Sequence, residues 1–105
     1  MVKKVVINPG MCGNITTVEA VSEDGLEVTV RADSGCVFVR RMFEELGESF
    51  DSFALCLNKP GRGPMYAYAS ENFPSHCGCP ILAGIIKAVE VECKLALPRD
   101  VSITF

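Results

Sequence analysis

The stretch ITTVEAVSEDGLEVTVRA, residues 15–32, sets the architecture. Two runs rich in β-branched residues, Ile15 to Val21 and Leu26 to Ala32, flank SEDG, and Leu26, Val28, Val30 and Ala32 alternate with polar neighbours. A period of two turns one face of a strand to a core and the other to water. Asp24-Gly25 supplies the reversal, because glycine takes positive φ without steric cost. These residues predict an antiparallel hairpin, and Lys3 to Ile7 adds a third strand ahead of it.

Downstream the period changes. Val39, Met42, Phe43, Leu46, Phe50, Phe53 and Leu57 recur at spacings of mostly three and four, the repeat that lines one side of a helix, with a break or bend at Gly47. Asp33 or Ser34 is the expected N-cap of the first helical segment and Ser49 that of the second. NKPGRGP, residues 58–64, reads as a loop, and a short helix follows from about Pro64 to Asn72. The last helix is expected to open at Pro80, where the absent N–H costs nothing. Leu82, Ile85, Ile86, Val89, Cys93 and Ala96 form its apolar stripe, Pro98 stops it, and DVSITF, residues 100–105, ends the chain as a strand. The expected fold class is α+β: one domain over residues 1–105 in βββ-α-α-β order, its helices on one face of a four-stranded, mostly antiparallel sheet.

Composition narrows the function classes. With 105 residues, 49% of them hydrophobic and 22% charged, the chain has material for one packed core. A net charge of −3 argues against a basic, phosphate-binding face, so nucleic acid is not an expected partner. PGRGP lacks the spacing of a phosphate loop. The longest apolar stretch, Ile81 to Ala96, is broken by Lys87, Glu90, Glu92 and Lys94 and is not expected to cross a membrane. The short apolar run after Lys3 and Lys4 falls short of a signal peptide. The location read from these features is cytoplasmic, where thiols stay reduced and a cysteine cluster points to metal or redox chemistry rather than to crosslinks.

The six cysteines divide into two groups. Cys93 lies on the stripe of the last helix and Cys56 in the apolar run SFALCL, so both read as small core hydrophobes. Cys12, Cys36, Cys77 and Cys79 each neighbour a glycine in a turn-like context, PGMCGN, DSGCVF and HCGCPI, where the backbone can approach a bound group. The hairpin puts Cys12 and Cys36 at one end of the sheet. If the final strand runs parallel to the first, Cys77 and Cys79 reach the same end; if it runs the other way, the pairs separate. Cys36 and Cys79 stand just before helices, whose free N–H groups favour thiolate.

Four such thiolates suit an iron–sulfur cluster or, alternatively, zinc, giving Cys12, Cys36, Cys77 and Cys79 as candidate ligands of a centre for electron transfer, cluster carriage or sensing. His76 reads as a solvated loop residue, with ligation or thiol activation as its alternative role. A rival reading is a metal-free protein that cycles a Cys77–Cys79 disulfide, with Cys12 or Cys36 as resolving thiol. A third is a non-catalytic module that binds a protein partner. No paired carboxylates or Ser-His-Asp set point to a hydrolase, so no catalytic residue is assigned.

INPGMCG followed by ITTVEA, the SGC after the hairpin, and HCGCPILAGIIKAVEVE with LALPRDVSI together resemble an uncharacterised family of small cysteine-bearing proteins of anaerobic archaea and bacteria. The resemblance runs over nearly the whole chain and is best at its two ends. That family has no established activity, so the resemblance implies no catalytic role; an anaerobic setting implies iron–sulfur rather than zinc.

Overall fold

The computed structural model describes residues 3–105. Strands β1 (Lys3–Ile7), β2 (Thr16–Val21) and β3 (Glu27–Ser34) are followed by helix α1 (Val37–Leu46), a short strand β4 (Ser49–Asp51), and helices α2 (Ser52–Cys56), α3 (Pro64–Asn72) and α4 (Ile81–Glu92). The strands form one antiparallel sheet in the order β1-β2-β3-β4. The fold is α+β, as residues 15–32 imply.

The β2–β3 hairpin turns where Asp24-Gly25 stands. Gly25 has φ +76°, and the Asp24 carboxylate accepts from the N–H groups of Leu26 and Glu27 at 2.9 and 3.1 Å. Those bonds hold the Asp24 carboxyl below its ordinary pKa of 3.8. Val18, Val28 and Val30 face the core and are fully buried. Leu26, outside β3, remains 54% exposed and is not part of that face.

The fourth strand is not where the sequence pattern puts it. Residues 100–105 join neither strand nor helix, and β4 lies instead inside the segment read as a bent helix. Gly47, at φ +82°, ends α1, and the chain then extends to pair Phe50 with Val28 of β3. Phe50 fits both readings because one buried aromatic satisfies a helical stripe or a three-residue strand equally well. The caps move too. Cys36 occupies the N-cap of α1, and Asp51 rather than Ser49 caps α2, accepting from the N–H groups of Phe53 and Ala54 at 2.9 and 3.0 Å. Helix α4 ends at Glu92, before Pro98, because Lys94 takes a left-handed φ of 61°.

The direction of α4 matters most for the site. Gly84, in its first half, lies against Ile7 at the end of β1; a Cβ there would stand 2.5 Å from Ile7 Cδ1. At its other end the Glu92 carboxylate accepts from Ser22 N–H at 2.9 Å, and the Cys93 carbonyl faces Gly25. Helix α4 therefore crosses the sheet from the Ile7 end to the hairpin end. Ile81, Ile85 and Val89 are buried beneath it, with Met42 of α1 and Met65 of α3 in the same core. Among the described residues no helix is long and apolar enough to cross a membrane.

Candidate functional site

Strand register fixes the first half of the site. Ile7 pairs with Thr16, and Thr16 with Ser34, so the loop after β1, which carries Cys12, and the residues after β3, which carry Cys36, share one end of the sheet. A buried hydrogen-bond relay ties them. Thr16 Oγ1 donates to the Asn14 carbonyl at 3.1 Å, so in the 2.7 Å pair with Ser34 Oγ it is the acceptor. Ser34 Oγ in turn accepts from Cys36 N–H at 3.1 Å. Asn14 also presses on Gly35: a Cβ at that glycine would meet Asn14 Oδ1 at 2.9 Å. The relay holds the backbone of Cys36 and the end of the Cys12 loop in fixed relation, although Cys12 itself is exposed at the loop tip.

The second half comes from the segment between α3 and α4. Phe73, at the end of α3, packs its ring 5.9 Å from Phe38, two residues beyond Cys36, and 6.2 Å from Tyr68 edge-on. Beyond it the chain turns twice, His76 N–H donating to the Pro74 carbonyl at 2.7 Å and Cys79 N–H to the His76 carbonyl at 3.4 Å. Cys79 then lies just ahead of α4, whose start is at the Ile7 end of the sheet. Cys79 and Cys36 are half-buried against the core, whereas Cys77 is exposed. His76 is exposed as well, the solvated loop residue that the sequence implies.

Three loops therefore deliver Cys12, Cys36, Cys77 and Cys79 to one end of the molecule. The route differs from the expected one: α4 takes Cys77 and Cys79 there without a final strand parallel to β1. Sharing an end is not coordination. Among the described residues no three histidine, cysteine, aspartate or glutamate side chains are grouped to hold one metal ion. The donor set suits a thiophilic centre in kind, but the described arrangement does not assemble it.

Cys93 and Cys56 belong to the other end and flank of α4. Cys93 is 7% exposed in the core. Cys56 Sγ faces the Ile86 carbonyl at 3.8 Å, and burial, helped by the nearby negative charge of Glu90 and of Cys93, pushes its thiol pKa up to about 12. A thiol held protonated is neither a nucleophile nor a ready ligand, so the packing reading of Cys56 fits its surroundings, and that of Cys93 fits its burial.

One neighbour of the thiols escapes a sequence reading. Tyr66, half-buried on the first turns of α3, has its phenol pKa raised above the ordinary 10.0 by burial, and then by the negative charge of Cys77 and Cys79. No spacing in the sequence relates Tyr66 to thiols eleven and thirteen residues on.

A family model, that of a family of unknown function (DUF6951), matches residues 3–105. The chain is a member of DUF6951. No curated protein and no solved structure matches it. The DUF6951 match spans all three cysteine-bearing loops, so the thiol-bearing end lies wholly within the family region.

Proposed function

We propose that this DUF6951 protein binds a metal centre, an iron–sulfur cluster or alternatively zinc, through Cys12, Cys36, Cys77 and Cys79, and serves in electron transfer, cluster carriage or sensing. One observation carries this reading: loops far apart in sequence bring four thiols to one end of the sheet, while the other two thiols are packed away from it. Four thiolates match the ligand sets of tetrahedral zinc and of iron–sulfur clusters. Ligands on loops can close on a metal as it binds, and binding then contributes to folding stability. In this protein the loops at 8–15 and 73–80 would close, against the anchor that the Ser34 relay provides at Cys36. The resemblance to cysteine-bearing proteins of anaerobes favours the iron–sulfur alternative.

The test is anaerobic purification, followed by iron, zinc and sulfide analysis and an absorption spectrum, on the parent and on single Cys→Ala variants at all six positions. Stoichiometric metal that is lost on changing Cys12, Cys36, Cys77 or Cys79 and kept in Cys56→Ala and Cys93→Ala is the expected result. Metal-free protein after reconstitution with iron and sulfide, and with zinc, would sink the reading. The second reading is a Cys77–Cys79 dithiol that cycles to a disulfide. It rests on the two thiols sharing one turn, with Cys77 open to solvent and Cys79 held against the core. Mass spectrometry of metal-free protein across a series of glutathione ratios separates it from the first. Protein with neither metal nor a reversible disulfide would leave the interaction module.

A further inference from the structure

Residues 100–105 are exposed throughout although their pattern is that of a strand. Val101, Ile103 and Phe105 alternate with Ser102 and Thr104, and the three apolar side chains are 62%, 73% and 115% exposed. Phe105 is as open as in an extended chain, so the segment stands free of the body. Among the described residues none of its amide or carbonyl groups has a backbone partner. A run of β-branched and aromatic residues in period two gains stability only on a sheet, where its backbone groups pair and one face is covered.

Among the described residues one surface matches. Strand β1 borders the sheet, pairs among the described residues with β2 alone, and runs for five residues, the span of 101–105. Its outward Val6 is 66% exposed. The opposite border, β4, is three residues long and ends at the α2 cap, too short to seat the segment. An open edge and a free strand-patterned segment in the same chain make each copy both donor and acceptor.

We propose that two copies of this chain exchange residues 101–105, each segment adding as a fifth strand to the β1 edge of the other copy. Placed on the core side of that edge, Val101, Ile103 and Phe105 extend the layer formed by Val5 and Ile7. The exchange is reciprocal and closed, the two contacts being related by a twofold axis, so it stops at a dimer rather than growing into fibres.

The experiment uses the full chain under reductant, so that no disulfide links copies. Light scattering after size exclusion, at about 100 µM, is expected to give twice the 11.3 kDa mass of one chain. Ile103→Asp and Phe105→Asp, each at a position exposed in the single chain, are expected to halve that mass while leaving the circular dichroism unchanged. Amide exchange in the parent is expected to slow at 101–105 and along β1. A monomeric parent with exchanging amides at 101–105 overturns the proposal. So does a monomer in which those amides are protected, since the segment would then lie on its own β1. A dimer that survives both substitutions overturns it as well, because another surface would hold it.

Discussion

Gly84 of α4 lies against Ile7 of β1 with no room for a side chain. A methyl at Gly84 would sit 2.5 Å from Ile7 Cδ1 and 2.6 Å from Cγ1, so the whole isoleucine side chain must yield, not merely its tip. Gly84→Ala gains about 1 kcal/mol of helix propensity against an overpacking cost of about 1–3 kcal/mol. Urea denaturation is expected to show a net loss of up to about 2 kcal/mol by that difference. Ile7→Val in the Gly84→Ala background should recover part of it, with a favourable coupling above about 0.5 kcal/mol in a double-mutant cycle; strictly additive effects would mean that α4 has shifted away from β1. Ser34 is the second residue on which the site turns. Ser34→Ala removes the donor to Thr16 Oγ1 and the acceptor of Cys36 N–H, both in buried or partly buried surroundings. The expected loss is about 1–3 kcal/mol, with faster alkylation of Cys36. Unchanged Cys36 reactivity would show that the relay does not hold that residue.

Among the elements, β4 and α2 show how little sequence separates a strand from a helix. Phe50 and Phe53 continue the three- and four-residue spacing begun at Val39, yet Phe50 is buried in β4 and Phe53 is 48% exposed on α2. The switch depends on Gly47, which ends α1 with positive φ, and on Asp51, which starts α2 by satisfying two free N–H groups. Asp51→Ala is expected to cost about 1 kcal/mol in thermal or urea unfolding, and Asp51→Asn much less, because asparagine caps as well as aspartate. Equal losses from the two would assign the effect to charge instead of to the cap. Gly47 is visible in the sequence as a break, but the strand after it is hidden, since three residues are too few to show a period of their own.

At the level of the whole molecule the fold gives the six cysteines different exposure. Cys12 and Cys77 are exposed, Cys36 and Cys79 half-buried at the same end, and Cys93 buried in the core. Cys56, with its pKa pushed up to about 12, stays a thiol at neutral and mildly basic pH. Alkylation of the reduced, metal-free protein by iodoacetamide at about pH 8, where an ordinary thiol is partly ionised, is expected to modify Cys12 and Cys77 first and Cys56 and Cys93 last, read by peptide mass spectrometry. Modification of Cys56 at the rate of Cys12 would place it outside the packing described for it.

The sequence by itself determined the hairpin, the boundaries of α3 and the start of α4, the α+β class, and the division of the cysteines into four in loops and two in apolar runs. Those features rest on interactions between residues close in the chain: the period of two around Asp24-Gly25, the helical stripe after Pro80, and the glycines beside the loop thiols. Tertiary structure alone decided that the fourth strand is Ser49–Asp51, that residues 100–105 stay off the sheet, and that Tyr66 neighbours Cys77 and Cys79. It also decided which end of the sheet α4 starts from. That choice comes from Gly84 fitting against Ile7 and from Glu92 meeting Ser22 N–H, contacts between residues some 70 or more positions apart, and no local period carries information over such a distance.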